Sequence, residues 1–375
     1  NLFFNHIGKW SYSIYVWHWP IVVFGVYFSI QHWWLYGIPL SILSGYFSYQ
    51  FIEKIRFKKF FAWKDIYKVK PFYIFLFIFI LGITVRKTDG LQFIYSEKIR
   101  EIMKESQNSN PYKCDSSSEN PNLYECIVGD TKNIKAIIIG DSHADAITTA
   151  LATTFDLKKE GIISIANSGC PFIFDVKIGL DDANYNCLNI NKLRMQWLVD
   201  HQDEYKNLPI IIAARWSSYL KPENDPERII GENRPLMHAE SKDKKQFNDL
   251  NSIFTRKLES TLCPISTNFQ VYIMQPIPEM AKNIPKTMSK NLLLGKSPDL
   301  SISYQEYLER SSDVRSIIKN VAQRCNVKTL DPAAVLCKSG RCIADDKGRP
   351  IYRDGDHLSE YGNKLLTPMF KQALL

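Results

Sequence analysis

Five short apolar runs recur along the sequence after residue 134, and most of them are rich in Ile and Val. Apolar residues stand at consecutive positions within the runs, which is typical of strands buried on both faces of a parallel sheet. Helical patterns follow most runs, so the alternation predicts an α/β fold, a doubly wound parallel sheet in a three-layer sandwich. Functional sites in such sheets lie at the carboxyl ends of the strands. The predicted strands lie at 135–140, 161–166, 208–214, 269–275 and 327–330, and the predicted helices at 144–155, 190–206, 242–262, 304–324 and 360–374.

The first 87 residues have a different pattern from the α/β region, because they contain three long stretches without a charged side chain. Residues 14–30 and 33–50 are each close to the ~20 residues that a transmembrane helix needs. Residues 71–85 are fewer, and an interfacial helix is the alternative there, but the flanking Lys and Arg side chains can reach lipid headgroups. The pattern predicts transmembrane α-helices within 1–53 and one linking transmembrane helix at 71–87, all preceding the α/β domain.

A basic segment separates the second and third apolar stretches. Residues 54–70 contain seven Lys or Arg and one Asp, which accounts for six of the eight excess positive charges. Short loops rich in Lys and Arg face the cytoplasm, so 54–70 is predicted to be a cytoplasmic loop and everything after the third span to lie outside. The remaining charge is nearly balanced, so no nucleic-acid partner is predicted.

All eight cysteines lie at or after residue 114. An even number confined to one side of the predicted membrane segment indicates disulfides in an oxidising compartment. A zinc site is the alternative, but the sequence has no C-x-x-C pair. Connectivity cannot be deduced from sequence, and pairing between neighbours is the simplest hypothesis. It would join 114 with 126, 170 with 187, 263 with 325 and 337 with 342.

The polar residues 88–133 are predicted to be a linker or an extension packed on the domain at 134–375. At the start of that domain, an Ile run ends in Gly140-Asp141-Ser142-His143. A Gly turn there presents Ser142 at the start of a helix, where its own N–H and the helix terminus favour developing negative charge. Alternatively, Asp141 or Ser142 serves only as a helix cap.

A second motif, Asp354-Gly355-Asp356-His357-Leu358-Ser359, precedes the last predicted helix. An Asp three residues before a His can accept a hydrogen bond from Nδ1–H, which leaves Nε2 free to take the Ser proton. Asp356 is the rival carboxylate, and a simple surface turn is the alternative for the whole motif. Together the two motifs predict a catalytic triad of Ser142, His357 and Asp354.

These motifs, with Asn-Ser-Gly-Cys around Gly169, resemble those of the SGNH hydrolase superfamily over residues 134–375. The resemblance implies that Ser142 is a nucleophile and that Ser142 and Gly169 offer backbone N–H groups to an oxyanion hole. The usual G-x-N-D block is missing, and Arg215-Trp216 stands in its place. Arg215 is therefore a candidate third donor, and Trp216 either shapes the pocket or packs in the core. The predicted pocket residues are Asp141, His143 and Trp216, and no metal ligand is predicted.

Residues 8–20 (GKWSYSIYVWHWP) and 48–59 resemble the last core helices of acyltransferase family 3. Together the two resemblances imply a multi-pass protein of the bacterial inner membrane that carries a periplasmic SGNH domain. We expect the chain to be a fragment whose N-terminal acyltransferase unit is missing. We expect that unit to use acetyl-CoA as its acyl donor, and we expect no bound cofactor in the part present here. His18 is either a functional group within a span or a helix-facing residue.

The resemblance implies an O-acyltransferase, typically for acetyl groups, acting on a cell-surface polysaccharide such as a lipopolysaccharide O-antigen. Two alternatives stay open. One is a carbohydrate O-acyl esterase that uses the same triad, and the other is a catalytically silent carbohydrate-binding domain.

Overall fold

The computed structural model describes residues 2–28, 30–55, 62–88, 90–116, 125–178, 186–221, 237–238 and 250–375, with side chains from residue 7 onward except that of residue 238. The chain divides into two compact units, Asn1–Ile94 and Tyr95–Leu375. The second unit therefore begins within the segment predicted as a linker or extension. The other predicted domain boundaries stay predictions.

The first unit is helical. Its α-helices are α1 (Leu2–Tyr27), α2 (Trp33–Ser48) and α3 (Lys70–Lys87), with a π-helical turn at Tyr49–Glu53 and a 3₁₀ helix at Trp63–Lys68. Helix α2 approaches α1 closely, because a Cβ at Gly45 would lie 2.8 Å from the backbone of Ile14. Within the described part of this unit, no helix is long and apolar enough to cross a membrane, so the three predicted spans are not confirmed.

The second unit is built around a mixed sheet. Strands β1 and β2 both pair with β4, and the order continues β4-β3-β6-β8-β10. All these pairs are parallel except β2 with β4, which is antiparallel, so the predicted purely parallel sheet is wrong at this edge. The strands are β1 Asp115–Ser116, β2 Cys126–Gly129, β3 Ile134–Gly140, β4 Gly161–Asn167, β5 Lys177–Ile178, β6 Pro209–Ala213, β7 Met237–His238, β8 Gln270–Met274, β9 Ile302–Ser303, β10 Lys328–Leu330, β11 Cys337–Lys338, β12 Arg341–Cys342, β13 Asp345–Asp346 and β14 Arg349–Pro350.

Helices cover both faces of this sheet. Consecutive residues of β3 point to opposite faces, so Ile137 packs in one hydrophobic core and Ile138 in the other. Helices α6, α8 and α10 contribute to the first core, and α5, α9 and α13 to the second. The helices of this unit are α4 Glu97–Lys104, α5 Ser142–Ala152, α6 Cys187–Asp200, α7 Trp216–Leu220, α8 Leu250–Ile265, α9 Ile284–Leu293, α10 Tyr304–Arg324, α11 Ala333–Leu336, α12 Glu360–Asn363 and α13 Thr367–Leu374.

The five predicted strands are confirmed as β3, β4, β6, β8 and β10. The segment predicted as one helix at 360–374 is helical throughout but not a single α-helix, because a 3₁₀ turn at Lys364–Leu366 separates α12 from α13. Proline lacks an N–H and suits the first turn of a helix, so Pro368 begins α13 instead of continuing α12. The first part of the helix predicted at 242–262 lies outside the described residues.

Four disulfides join Cys114 with Cys126, Cys170 with Cys187, Cys263 with Cys325, and Cys337 with Cys342. The predicted pairing between neighbours is confirmed at all four. No cysteine of the chain is free.

Candidate active site

Ser142 lies where strand β3 ends and helix α5 begins. The turn between them requires a glycine, since a Cβ at Gly140 would lie 1.7 Å from the carbonyl oxygen of Ala213 on the neighbouring strand. Ser142 is the first residue of α5, and its side chain is half-buried. The sequence therefore folds locally so that the hydroxyl group stands at the carboxyl edge of the sheet, beside a helix N-terminus.

Asp141 caps this helix. Its Oδ1 accepts a hydrogen bond from the backbone N–H of His143 at 2.8 Å. Its Oδ2 accepts from the backbone N–H of Arg215 at 2.9 Å and from the hydroxyl of Tyr219. Because Asp141 makes the cap, the hydroxyl of Ser142 is left for another partner.

That partner is His357, whose Nε2 lies 2.7 Å from Ser142 Oγ. On the other side of the ring, Nδ1 lies 2.8 Å from Oδ2 of Asp354. Asp354 Oδ1 in turn accepts hydrogen bonds from the backbone N–H groups of Asp356 and His357. The turn thereby fixes its own carboxylate against the imidazole, and the three predicted triad residues form one hydrogen-bonded chain.

Asp356 lies at the centre of a second set of contacts. Its Oδ2 is 3.0 Å from His143 Nε2, 3.2 Å from Arg215 Nε and 3.3 Å from His357 Nδ1. Burial by itself would raise the pKa of Asp356, but the positive charge available on these neighbours lowers it well below the ordinary value of an Asp. Asp356 therefore favours its ionised form beside the imidazole of His357.

The two carboxylates act on the pKa of His357. Burial opposes the charged imidazolium and would lower that pKa, but Asp356 and then Asp354 stabilise the positive charge and raise it above 6.5 overall. Burial likewise opposes ionisation of Asp354, yet its hydrogen bond to His357 leaves the pKa of Asp354 lowered.

The charge network continues away from the triad. Glu279, which is buried, contacts Arg215 at 3.2 Å and Arg310 at 3.1 Å. Sequence reasoning missed Glu279 and Arg310. One signal was present for Glu279, since it follows the carboxyl end of strand β8, on the functional edge of the sheet.

The predicted oxyanion loop follows strand β4. Ala166 of β4 is in register with Gly140 of β3, so the two loops leave the sheet side by side. Gly169 has a φ of 74°, a left-handed conformation that favours glycine. Asp115 of β1 accepts a hydrogen bond from the side chain of Ser168.

The other residues that the sequence predicts for the site are largely buried. Trp216 is completely buried, its indole N–H donates to the Met274 carbonyl at 2.8 Å, and its ring packs against Phe254. Core packing is thus its structural role, and its assignment to the pocket stays a prediction. Arg215 directs its guanidinium to Glu279 and Asp356, as described above. Asp141 and His143 are also buried. Asp141 caps α5, and His143 contacts Asp356.

One group of ligand atoms could hold a metal ion, from His143, Asp356 and His357, which lie within 4.8 Å of one another. The same atoms are already engaged in the hydrogen bonds given above, so those contacts account for the arrangement. A cavity of about 1040 Å³ lies elsewhere, between α4 and the loop at Lys347–Arg349, and no triad residue lines it.

A strand-end Ser joined to a His and an Asp, on a sheet covered by helices on both faces, defines an α/β domain of the SGNH hydrolase type. The chain belongs to the family described as SGNH domain (fused to AT3 domains), whose sequence model matches residues 113–372. Members of this class of domain are acyl-transferring or hydrolytic enzymes.

Several solved structures are similar to the chain. The periplasmic domain of a lipopolysaccharide acetyltransferase from Salmonella ser. Paratyphi A is 17% identical, with 75% of this chain and 98% of that one covered and a TM-score of 0.46. An aryl esterase from M. smegmatis is 13% identical, with 64% and 100% covered and a TM-score of 0.36. A putative GDSL-like lipase from Parabacteroides merdae is 13% identical, with 66% and 97% covered and a TM-score of 0.31. Comparison with curated protein sequences gave no match.

Proposed function

We propose that this chain is the carboxy-terminal part of a membrane-anchored O-acyltransferase that transfers an acyl group, in first place acetyl, to a bacterial cell-surface polysaccharide. The observation that carries the proposal is the hydrogen-bonded chain from Ser142 Oγ through His357 to Asp354. The family match to SGNH domains fused to AT3 domains supports the membrane-linked architecture.

The geometry suits formation of an acyl-enzyme. Ser142 Oγ attacks the acyl carbon while its proton moves to His357 Nε2, and the electron pair of the C=O bond moves onto the oxygen. When the tetrahedral intermediate collapses, the donor leaves with the proton from His357. A sugar hydroxyl then attacks the acyl carbon, His357 takes its proton, and Ser142 regains that proton as the ester is released.

In this proposal the missing N-terminal acyltransferase unit uses acetyl-CoA and supplies the acyl group, while residues 95–375 act in the periplasm without a bound cofactor. The protein would be multi-pass in the inner membrane, with 54–70 in the cytoplasm. The acceptor would be a surface carbohydrate such as an O-antigen, and no nucleic acid takes part.

An esterase is the second candidate, because the same three residues would release the acyl group if water reached the acyl-enzyme before a sugar did. A silent carbohydrate-binding domain is less well supported, since binding alone has no use for an imidazole fixed between a Ser hydroxyl and a carboxylate.

The test uses the full chain, p-nitrophenyl acetate as donor and an oligosaccharide acceptor, with Ser142→Ala as the matched control. Acetylated oligosaccharide formed by the wild-type chain and absent with the control supports transfer. Acetate released at a rate that the acceptor does not change supports the esterase. Absence of both products from a folded wild-type chain would leave only the binding domain.

A further inference from the structure

One face of helix α6 contacts the predicted oxyanion loop. Cys187, Asn191 and Arg194 are spaced by four and three residues, which places them on the same side of the helix. All three are buried, with exposed fractions of 0 to 1%. Each of them contacts the segment that runs from the end of β4 through residue 173.

Arg194 joins the two loops of the active site. One guanidinium nitrogen donates to the Gly140 carbonyl at 2.6 Å and to the Ile165 carbonyl at 3.1 Å. The other donates to the Cys170 carbonyl at 3.0 Å and to the Asn191 side chain at 2.9 Å. Gly140 lies two residues before Ser142, and Cys170 directly follows Gly169, so a single side chain sets the spacing between the two predicted donors.

Asn191 and the disulfide hold the rest of the loop. The Asn191 side-chain amide donates to the carbonyls of Pro171 at 2.9 Å and Ile173 at 2.8 Å. Cys187, the first residue of α6, is bonded to Cys170. The loop after Gly169 is thus fixed to α6 by the disulfide and by hydrogen bonds to the carbonyls of Cys170, Pro171 and Ile173.

The residue type at position 194 is informative, because a completely buried cation is costly and an apolar side chain would fill a core more cheaply. Burial lowers the pKa of Arg194 to about 10, so the group still carries its charge at neutral pH. Its planar fork offers donors from separate nitrogens in fixed directions, whereas the three donors of an ammonium leave a single nitrogen and an apolar group has none.

We propose that Arg194, with Asn191 and the Cys170–Cys187 disulfide, is the positioning device of the oxyanion hole. It holds the backbone of Gly140–Ser142 and of Asn167–Cys170 at the separation at which the N–H groups of Ser142 and Gly169 converge on the oxyanion. The inference rests on the proposed acyl-enzyme mechanism. None of these side chains touches the substrate, so they are positioning residues.

The test compares two disulfides of the full chain. The double substitution Cys170→Ala with Cys187→Ala removes the bond beside the loop, and Cys263→Ala with Cys325→Ala removes one between α8 and the end of α10. We expect the first variant to lower kcat for p-nitrophenyl acetate by about 10- to 100-fold with KM within about twofold, because displaced oxyanion donors weaken transition-state binding alone. The second variant should keep the wild-type kcat. Equal kcat values in the two folded variants would overturn the proposal.

Arg194→Lys is the second arm, because Lys keeps the charge and most of the volume but not the fork. It should lower kcat in the same way and weaken binding of a boronic acid that forms a tetrahedral adduct with Ser142 by a similar factor. A folded Arg194→Lys variant with unchanged kcat and unchanged boronic-acid affinity would contradict the proposal.

A separate readout distinguishes failure of this inference from failure of the proposed function. The backbone N–H of Cys170 donates to the Asn167 carbonyl at 3.0 Å, so its hydrogen exchange reports on the loop without any catalysis. Exchange should accelerate in Arg194→Lys and in the Cys170/Cys187 variant but not in the Cys263/Cys325 variant. If the wild-type chain transfers and hydrolyses nothing, the proposed function fails, and this exchange pattern alone decides whether α6 holds the loop.

Discussion

The two sides of the active site are held in place by different forces. On the serine side, the loops at 140–142 and 167–170 are fixed by a disulfide, by the cap that Asp141 forms and by one buried cation that donates to backbone carbonyls. On the histidine side, the turn at 353–357 is fixed mainly by carboxylates and their charged neighbours. We expect activity to be lost on the serine side when the backbone is displaced. On the histidine side, we expect it to be lost when a charge is gained or removed.

The largest effect is expected where the two sides meet. Ser142→Ala removes the nucleophile and His357→Ala removes the base, and each should lower kcat by roughly 10⁴- to 10⁶-fold. Because the residues act as a unit, the double variant should be little worse than either single one. Steady-state kinetics with p-nitrophenyl acetate measures this, with an unchanged unfolding transition as the control. Retained activity in Ser142→Ala would exclude the covalent mechanism.

The next effect separates the two carboxylates of the histidine side. Asp354→Asn keeps the shape but favours the wrong imidazole tautomer, so kcat should fall by roughly 10²- to 10⁴-fold. Asp356→Asn removes a charge 3.3 Å from Nδ1 and leaves the shorter Asp354 contact in place, so its loss should be much smaller. If Asp356→Asn lowers kcat more than Asp354→Asn does, Asp356 is the orienting carboxylate. Of the assigned triad, only Ser142 and His357 would then remain.

The pH profile tests the electrostatic half of the comparison. The proposed mechanism requires neutral His357, whose pKa is raised, so kcat/KM should fall as pH decreases through a midpoint above 6.5. Asp356→Asn removes part of the charge that stabilises the imidazolium, so this acidic limb should move to lower pH. Arg194→Lys acts on the serine side and should leave the midpoint where it is. A common shift in both variants would abolish the distinction between the two sides.

The smallest effect concerns a carboxylate on the serine side that takes no part in the proposed chemistry. Asp145, one turn after Ser142, is 6% exposed and accepts a hydrogen bond from Asn110 at 2.7 Å. Burial raises the pKa of Asp145 to about 6, so the folded state binds more protons than the unfolded state between about pH 4 and 6. Stability therefore falls as pH rises through that window.

Asp145→Asn should accordingly raise the free energy of unfolding at pH 7.5 by up to ~3 kcal/mol, with no gain below about pH 4. Urea denaturation at the two pH values measures this, and exposed Asp203→Asn is the matched control. We expect kcat to stay within about twofold of the wild type. Destabilisation at pH 7.5 would show that the hydrogen bond from Asn110 outweighs the cost of burying the charge.

The sequence predicted the elements whose signals are local. Helix α10 begins and ends as predicted, because Ser303 and Glu306 form a capping box at its start and the pattern breaks after Arg324. The predicted triad residues lie together, because their motifs sit at strand and helix ends that every such sheet brings to one edge. Strands β1 and β2 were missed, because two to four residues paired along an edge leave no periodic pattern.

The buried charged residues Arg194 and Glu279 could not be predicted, because their partners are distant in sequence. Arg194 lies 54 residues from Gly140 in sequence, and Glu279 lies 64 from Arg215. Nothing in the residues around Arg194 distinguishes it from a side chain on an exposed helix, and the one signal for Glu279, its position after strand β8, does not identify its partner. Their partners are set by the packing of distant elements, which a pattern within one segment does not encode.

The pairing of β1 and β2 with β4 has a consequence for handling the protein. All seven residues of β4 are buried, and these two short strands satisfy its outer backbone groups. A fragment beginning at residue 134 would leave an apolar strand with an open edge, which is a template for pairing with another chain. It would therefore aggregate, whereas a fragment beginning at Tyr95 carries its own edge protection.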